Sequence, residues 1–326
     1  MQELAELAGV SVSTVSRALA GKTIINAKTR ERVVELARQH GFKPNQVAQN
    51  LRLRRAQAIG VIMPMGHEVD QHPSDPFFMT MLGYLADALT ERHFDLLLSR
   101  VIPSGDSWLD DLLDSGRVDG AIVIGQSDQM AVLDAAAARH RALVVWGAKV
   151  EGQQHVTVGS DNVRGGLIAG RHLIERGKRN LLFLGNPTPP EFGKRQQGFL
   201  QACAEAGLSD SVHTLPIHLT SEAAYSAASA FLDANPDIDG IFAASDVVAM
   251  SALRALAERG LAVPGDVAVV GYDDIMLAAH TTPPLTTIRQ DLQAGARLLV
   301  DMVFRQIDGE ICEPVQLEPE LIVRAT

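Results

Sequence analysis

From residue 58 onward, short apolar runs alternate with amphipathic helical patterns, and this alternation constrains the fold more than any other feature. The apolar runs lie at 58–63, 94–99, 120–124, 143–146, 180–184, 213–217, 240–243 and 267–271. Helical patterns lie between most of them, at 77–92, 162–176, 196–206, 222–235, 247–259 and 292–307. Strands alternating with helices form parallel sheets covered on both faces, which near-continuous apolar strands require. The pattern therefore predicts an α/β fold of two doubly wound parallel-sheet subdomains, with a ligand bound beyond the carboxyl ends of the strands.

The first 57 residues instead show only helical patterns, at 2–8, 12–19, 27–40 and 45–53. Ser11 and Asn26 are residue types that cap helix N-termini, and each stands directly before one of these patterns. Gly41 has the type and position of a helix-terminating residue. The sequence thus predicts a small all-α headpiece in front of the α/β body.

The charge of the chain is divided unequally between these two parts. Residues 1–57 hold ten Lys/Arg against four Asp/Glu, a net of +6, whereas residues 58–326 hold 19 against 35, a net of −16. A basic head on an acidic body favours a nucleic-acid-binding module joined to a domain of another kind. A solvated basic helical arm is the alternative that charge alone leaves open.

Composition excludes other classes of protein. The first 20 residues lack a basic start followed by an apolar region, and no uncharged run of about 18 apolar residues occurs, so neither a secretory signal nor a membrane span is predicted. Two cysteines, Cys203 and Cys312, are too few for a disulfide framework. We therefore expect a cytoplasmic protein.

Residues 4–19 have the pattern of a helix-turn-helix. Small residues stand where two helices would cross, and Val10, Val15 and Leu19 fit the inner face of the second helix. The outer face carries short polar groups and one long donor: Ser11, Ser13, Thr14, Ser16 and Arg17. Such a helix lies in the major groove with its first residues at base edges. Arg17 could there pair bidentately with guanine, while Ser11 and Ser16 are better suited to phosphates.

The segment LAELAGVSVSTVSRAL, followed by INAKTRERVVELARQHGFKPNQVAQNLR, closely resembles the headpiece of the lactose/galactose-repressor (LacI/GalR) family of bacterial regulators. The resemblance continues through AIGVIMP, DPFF, SDN, RQQGF, SDVVAMSALRAL and VPGDVAVVGYDD…PPLTTIRQD, in the family's order. It implies a helix-turn-helix DNA-binding domain over 1–44, a hinge helix and linker over 45–57, and an effector-binding and dimerisation domain over 58–326. The second domain is implied to resemble periplasmic binding proteins.

The resemblance also implies roles for residues of the head. Val12 and Ser13 match the positions that choose the operator base, and Arg17 matches the base-reading arginine. Asn26 and Thr29 match phosphate contacts. The hinge helix, which folds on DNA, corresponds to Asn45, Val47, Ala48 and Leu51, and Leu51 matches the wedge that opens a central base step in the minor groove. For Leu51 the alternative is an ordinary apolar helix residue, and for Ser13 simple capping and solvation.

The expected effector is a small sugar, for which carboxylates, amides and guanidinium groups bind hydroxyls while aromatic faces cover the ring. By position in the family, the predicted effector residues are Asp75, Phe77, Trp146, Asp161, Arg195, Ser245, Asp246 and Asp273. Alternatives remain open for most of them. Asp161 and Asp246 have the position of helix N-caps, and Asp273 that of a turn residue. One of Phe77 and Phe78 is expected in the core, Arg195 has an exposed-charge alternative, and Trp146 has the alternative of simple packing.

Two features depart from the family pattern. Family members begin a few residues earlier, with a threonine or serine that caps the first helix, where this chain has Met1. Many relatives also carry Asn-Asp in place of Ser245-Asp246, and serine reaches less far than asparagine. The sequence after 307 contains no heptad pattern, so a tetramer built by a terminal coiled coil is not expected.

Together these patterns predict a homodimeric transcriptional regulator, a repressor of carbohydrate-utilisation genes, that binds a pseudo-palindromic operator under control of a sugar. No metal or cofactor is predicted. A periplasmic-type sugar-binding protein shares the α/β body but not the basic head. A sugar-processing enzyme is the other competitor, although the chain lacks G-x-S-x-G, P-loop and G-x-G-x-x-G signatures.

Overall fold

A computed structural model of the chain describes residues 1–19, 24–42, 55–65, 72–140, 142–218 and 220–326. The chain divides into two compact units, residues 1–56 and residues 57–326. The predicted hinge helix, with Asn45, Val47, Ala48 and Leu51, lies outside the described residues.

The first unit contains three described helices: α1 (Gln2–Ala8), α2 (Val12–Leu19) and α3 (Ala27–Gln39). α1 ends at Gly9, whose φ of 62° is easy for glycine, and α3 begins where Asn26 Oδ1 accepts a hydrogen bond from Lys28 N at 2.9 Å. A small core joins the three helices through Leu4, Ala5, Ala8, Val15, Ala18, Val33 and Ala37. The predicted helix-turn-helix and both predicted caps are confirmed, since Ser11 Oγ also accepts from Thr14 N.

The second unit contains two six-stranded sheets with helices on their faces. The first sheet has the order β11-β5-β4-β3-β1-β2, with β1 (Ala58–Pro64), β2 (Asp95–Val101), β3 (Gly120–Ile124), β4 (Leu143–Trp146), β5 (Val156–Ser160) and β11 (Val315–Leu317). All of its strand pairs are parallel. The helices α4 (Pro76–Glu91), α5 (Trp108–Leu113) and α6 (Met130–Arg139) follow its strands in sequence. We call this sheet and its helices the first lobe.

The second sheet has the order β12-β10-β9-β8-β6-β7, with β6 (Leu181–Leu184), β7 (Val212–Leu215), β8 (Gly240–Ala243), β9 (Ala268–Asp273), β10 (Thr286–Arg289) and β12 (Glu320–Ile322). β12 is antiparallel to β10, and the other strand pairs are parallel. Its helices are α7 (Asn162–Glu175), α8 (Pro190–Glu205), α9 (Ser221–Ala234) and α10 (Asp246–Glu258). Short 3-10 turns lie at Ser209–Ser211 and Met276–His280. This sheet and its helices form the second lobe.

The described chain passes between the lobes at three places. The first crossing, 160–162, joins β5 to α7, and the second, 289–292, joins β10 to α11 (Leu292–Ile307). α11 returns to the first lobe, where Leu292, Leu299 and Val300 belong to the core cluster of the first sheet. The third crossing, 317–320, joins β11 to β12. Any change in the angle between the lobes must therefore bend these three segments.

Glycines allow α7 and α8 to pack at very short distance. A Cβ on Gly166 would lie 1.9 Å from the Arg195 carbonyl oxygen, and a Cβ on Gly198 would lie 1.9 Å from the Val163 carbonyl oxygen. Neither position can hold a larger residue without separating the helices. This contact fixes the backbone of Arg195 relative to the first crossing.

The predicted two-sheet α/β architecture is confirmed, although several elements were not predicted and others begin or end at different residues. β5, β10, β11 and β12 were not predicted from apolar runs, because they are short and contain polar residues. α8 begins at Pro190 rather than at 196, since the polar start of that helix hides its periodicity. Among the described residues, we find no helix with the length and apolar character needed to cross a bilayer.

Candidate functional site

The outer face of α2 presents the residues expected at a DNA surface. Ser11, Val12, Ser13 and Arg17 are exposed and Ser16 is half-buried, whereas Val15 and Ala18 turn inward to the core. Val12 is 44% exposed although it is apolar. The Val12 side chain is therefore not used in the core of the head.

The start of α3 offers a second polar position on the head. Asn26 is exposed and Thr29 is half-buried. The side-chain oxygen Oδ1 of Asn26 caps α3. The side-chain nitrogen Nδ2 therefore remains to donate to another acceptor. Amide donors and helix N-termini are groups that proteins use to hold DNA phosphates.

A cleft lies between the two lobes of the second unit, with about 700 Å³ of empty volume open to solvent. Its walls come from the carboxyl ends of strands and from the first turns of α4 and α8, as the fold predicts. The first lobe contributes Pro64, Met65, Asp75, Phe77, Phe78, Ile124, Gly125, Ser127 and Trp146. The second lobe contributes Pro189, Glu191, Phe192, Arg195, Ser245 and Asp273.

Arg195 is a buried cation in the floor of this cleft, with 4% of its surface exposed. Its Nε donates to Asn162 Oδ1 at 2.9 Å, and its NH1 donates to the Ala244 carbonyl oxygen at 2.5 Å. Its guanidinium carbon lies 3.7 Å from the centroid of the Tyr272 ring and 4.8 Å from that of Phe192. These contacts with two aromatic rings and the two donated hydrogen bonds hold the guanidinium in one orientation. The exposed-charge alternative for Arg195 is thus wrong.

Asp273 ends β9 with a φ of 115°, a backbone conformation that few non-glycine residues adopt. One of its carboxylate oxygens accepts from Gln290 Nε2 at 2.7 Å and lies 3.8 Å from Arg195 NH1. Burial raises the pKa of Asp273 to about 7, although the Arg195 guanidinium opposes the rise. Near neutral pH this carboxyl can therefore accept or donate a hydrogen bond.

Aromatic side chains form the apolar walls of the cleft. Phe77 and Phe78 meet edge to face with ring centroids 5.4 Å apart, and Phe78 is the buried member of the pair, as expected. Trp146 lines the cleft but is only 4% exposed, and a Cβ on Gly295 would lie 2.3 Å from its ring. Trp146 therefore packs against α11 and exposes little of its surface to the cleft.

Six of the eight predicted effector residues meet in this cleft: Asp75, Phe77, Trp146, Arg195, Ser245 and Asp273. The other two do not line it. Asp161 caps α7 by accepting from Arg164 N at 2.9 Å. Asp246 is completely buried and accepts from Ile275 N at 2.9 Å and from Thr287 Oγ1 at 2.5 Å. The capping alternative is therefore the one that the structure favours for Asp161. For Asp246 it is wrong, because Ser245 caps α10 by accepting from Val248 N at 3.3 Å, and Asp246 is a buried structural residue at the first position of that helix.

The environment of Asp246 explains how its carboxyl group is accommodated in the interior. Burial raises the pKa of Asp246 well above its ordinary value, and the neighbouring Asp273 carboxyl adds to the rise. A Cβ on Gly271 would lie 2.2 Å from Asp246 Oδ1, so the glycine makes room for this carboxyl. Asp246 therefore ties α10 to β10 and to the loop after β9, directly behind Asp273.

Glu191 is a cleft residue that the sequence did not indicate. It lies in the first turn of α8, and its carboxylate accepts a hydrogen bond from the backbone N–H of Gln126 in the first lobe at 3.1 Å. Burial raises the pKa of Glu191. Proline at the first position of a helix is a recognised start signal, and placing the start of α8 at Pro190 would have revealed Glu191.

The cleft is rich in carboxylates, with Asp75, Glu191 and Asp273 against the single guanidinium of Arg195. Such a set suits a ligand with several hydroxyl donors better than a phosphorylated one, because a phosphate would meet three carboxyl groups. In the described ranges, no three His, Cys, Asp or Glu side chains are grouped so that they could hold a metal ion.

A helix-turn-helix head and a body with a polar cleft between two α/β lobes define the class of ligand-responsive DNA-binding regulators. Residues 1–45 match the family described as "Bacterial regulatory proteins, lacI family", and residues 171–326 match a "Periplasmic binding protein-like domain". The chain belongs to the lacI family of bacterial regulatory proteins, as full-length relatives show.

Two such relatives are the HTH-type transcriptional regulators CelR of Thermobifida fusca and AglR of Rhizobium meliloti (strain 1021). Each is 32% identical to this chain, and the alignments cover 99% of this chain and 97% of CelR, and 100% of this chain and 93% of AglR. Among solved structures, a CelR–cellobiose complex matches with a TM-score of 0.71 at 31% identity, over 99% of this chain and 98% of that one.

A further solved structure supports the fold alone. The Lac repressor dimer bound to operator and an anti-inducer matches with a TM-score of 0.86 at 24% identity, over 99% of this chain and 97% of that one. CelR and AglR confirm the family that the sequence motifs predicted, and the solved structures confirm the fold. The chain is a DNA-binding transcriptional regulator, and the periplasmic-type binding protein without a regulatory role is excluded.

Proposed function

We propose that this regulator represses carbohydrate-utilisation genes as a cytoplasmic homodimer without enzymatic activity, and that a neutral sugar in the interlobe cleft controls its grip on a pseudo-palindromic operator. The observation that carries the proposal is the meeting of Arg195 and Asp273 in one cleft floor beneath aromatic walls. Fixed charged groups give sugar hydroxyls oriented partners, and the aromatic walls cover the apolar faces of the rings.

A disaccharide or short glycoside is the effector class that we test first. Polar groups and aromatic side chains from both lobes line the cleft, and these are the groups that bind sugar hydroxyls and cover sugar rings. The solved relative CelR is complexed with cellobiose, so cellobiose is a rational first probe for this chain.

For DNA, we propose that Val12, Ser13 and Arg17 read bases while Ser11, Ser16, Asn26 and Thr29 hold phosphates. The hinge residues Asn45, Ala48 and Leu51 are assigned to the minor groove by family position. In this scheme, 1–44 form the DNA-binding domain, 45–57 the hinge and 58–326 the effector-binding and dimerisation domain. The exposure of Val12 and Arg17 on the outer face of α2 supports the assignment.

The effector proposal is tested by thermal-shift screening with cellobiose, maltose, trehalose, lactose and their monosaccharides. Arg195→Ala and Asp273→Ala should abolish the shift given by the best sugar, because each removes a buried polar partner. Arg171→Ala is the matched control, since Arg171 lies on the neighbouring helix in an exposed ion pair with Glu205. A sugar that stabilises both cleft variants as much as the parent would show that it binds elsewhere.

The DNA proposal is tested by fluorescence anisotropy with duplexes from the chromosomal neighbourhood of the gene. Arg17→Ala should weaken binding to the best duplex by about 1–3 kcal/mol and relax the preference at one base pair. Arg38→Ala, in an exposed pair with Glu35 at the end of α3, should change neither by a comparable amount. Salt-independent or absent binding of every duplex, with and without sugars, would refute the proposal.

A further inference from the structure

The first and second crossings between the lobes each carry a buried amide side chain that bonds a charged residue of the cleft floor. Asn162, in the first crossing, is 3% exposed, and Gln290, in the second, is 4% exposed. Buried amides at points where the chain must bend are held in place by hydrogen bonds rather than by solvent. Their partners therefore decide how freely these crossings move.

Asn162 uses both ends of its amide. Its Oδ1 accepts from Arg195 Nε at 2.9 Å, while its Nδ2 donates to the Ser160 carbonyl oxygen at 3.0 Å. The guanidinium of the cleft floor is thus connected, through one side chain, to the backbone of the first crossing. Because the amide plane is rigid, a shift of the Arg195 guanidinium must rotate Asn162 or break one of these two bonds.

Gln290 makes the equivalent connection in the second crossing. Its Nε2 donates to Asp273 Oδ1 at 2.7 Å. Asp273 and Arg195 lie 3.8 Å apart, so the two connections meet at one point in the cleft floor. We therefore expect a ligand that binds Arg195 or Asp273 to change the hydrogen bonds of both crossings together.

The third crossing differs in this respect and provides a comparison. Its Glu318 side chain is 72% exposed and pairs with Arg164 at 3.2 Å on the surface. Glu318 is not among the residues that line the cleft. An exposed ion pair of this kind contributes little to stability. We therefore expect it to respond little to a ligand bound at Arg195 and Asp273.

We propose that Asn162 and Gln290 are positioning residues that transmit occupancy of the cleft to the first and second crossings, and so set the angle between the lobes. The proposal rests on the proposed function, since it assumes that a sugar engages Arg195 and Asp273. Coupling between effector and operator is carried by these two amide contacts. Their loss uncouples the sites even when both ligands still bind.

The test uses the full-length protein, the operator duplex and the sugar that gives the largest thermal shift of the parent, with cellobiose as the first probe. The variants Asn162→Leu and Gln290→Met keep side-chain volume but remove the amide, and Glu318→Gln is the control in the third crossing. The measured quantity is the ratio of operator affinities with saturating sugar and without sugar. At saturation a weakened sugar affinity does not enter this ratio.

Sugar either weakens or strengthens operator binding by the parent. In both cases we expect the ratio of each amide variant to be closer to one than that of the parent by at least about fivefold. Glu318→Gln should retain the ratio of the parent. Gln290→Asn, which shortens the side chain by one methylene, gives a milder version if a larger change prevents folding. A loss of stability alone would not move the ratio, since both operator affinities are measured on folded protein.

An unchanged ratio in both amide variants would overturn this inference while leaving the proposed function intact. A parent that binds operator but responds to no sugar would instead refute the proposed function, and the inference with it. A ratio that falls equally in Glu318→Gln would also overturn the inference, because the effect would then belong to any change in a crossing.

Discussion

The carboxylate of Glu191, at the start of α8 in the second lobe, accepts a hydrogen bond from the backbone N–H of Gln126, in the first lobe, at 3.1 Å. The bond joins the two lobes beside the cleft, which Glu191 lines, and Gln126 is completely buried. The Gln126 side chain is itself held, because its Nε2 lies 3.0 Å from Nε2 of the buried His155, whose Nδ1 lies 2.6 Å from Asp134 Oδ1. This bond therefore joins one lobe to a rigid part of the other.

Replacing Glu191 with alanine should loosen the ligand-free cleft. A hydrogen bond to a charged group contributes about 1.5–3 kcal/mol. The ligand-free variant should therefore be less stable than the ligand-free parent by at most about 3 kcal/mol. Small-angle scattering of the apo variant should show a larger radius of gyration than that of the parent. Glu205→Ala, at the exposed end of the same helix, should leave both quantities unchanged. Identical scattering of parent and Glu191→Ala would show that this bond does not hold the lobes.

Asp246 is predicted to be structural rather than a ligand contact. Asp246→Ala would leave the Ile275 N–H and the Thr287 hydroxyl buried without their acceptor, which should cost about 2–4 kcal/mol of unfolding free energy. Chemical denaturation measures this loss. Asp233→Ala, which removes an exposed partner of Arg259, is the matched control and should cost less than about 1 kcal/mol. Nearly equal stabilities of Asp246→Ala and the parent would contradict the assignment.

Asp273 should make stability depend on pH in a defined direction. Its pKa of about 7 in the folded protein exceeds the ordinary value of 3.8, so folding favours the protonated form. The contribution of Asp273 is therefore greatest below about pH 4 and is lost as pH rises toward 7. Asp273→Asn removes this loss, and its stability relative to the parent should rise by at least about 1 kcal/mol between pH 5 and pH 8.

Thermal denaturation of the two proteins across that pH range measures the difference. Subtracting the stability of the parent from that of the variant removes the pH-dependent contributions that the two proteins share. One of these is that of His155, whose pKa is lowered by burial, so that its contribution to stability rises with pH instead of falling. Asp246 does not cancel, because the Asp273 carboxyl contributes to its raised pKa. Its pKa should fall in the variant, which changes the difference in the same direction as the loss of Asp273 itself. A difference that stays constant from pH 5 to pH 8 would refute the titration of Asp273 in this range.

Gly166 should tolerate no side chain. Gly166→Ala places a Cβ 1.9 Å from the Arg195 carbonyl oxygen, which must separate α7 from α8 and displace Arg195. We expect a loss of about 1–3 kcal/mol of stability together with weaker sugar binding. Gly265→Ala, whose Cβ would lie 3.4 Å from the Cβ of Ala262, is the control and should stay within about 0.5 kcal/mol of the parent. Calorimetry of both variants decides the question.

Asn26 combines two roles that substitutions can separate. Asn26→Asp keeps a side-chain acceptor for Lys28 N, so α3 should remain capped, but its charge repels phosphate and should weaken operator binding. Asn26→Ala removes the cap and should destabilise the start of α3 by about 1 kcal/mol. Amide exchange over residues 27–31 measures capping, and anisotropy measures binding. Undiminished operator affinity in Asn26→Asp would remove Asn26 from the DNA surface.

Local patterns in the sequence were sufficient for the head and for the architecture of the body. α2 follows from Ser11 and the spacing of Val15 and Leu19, because capping and helical periodicity act within a few residues. The two sheets follow from apolar runs, because a strand buried on both faces needs apolar residues throughout. The resemblance to the family then indicated most of the predicted residues that line the cleft, because motifs in the family's order imply the family's positions in the fold.

Only the tertiary structure decided which acidic residues face the cleft and which stand behind it. Asp246 and Asp273 are both acidic residues close to strand ends, yet one is sealed under β10 while the other opens into the cleft, because packing against Gly271 and Thr287 sets that difference. The bonds of Glu191 to Gln126, Asn162 to Arg195 and Gln290 to Asp273 join residues 17 to 65 positions apart. No local pattern encodes such pairs, because their geometry exists only once both lobes have folded and the chain has crossed between them.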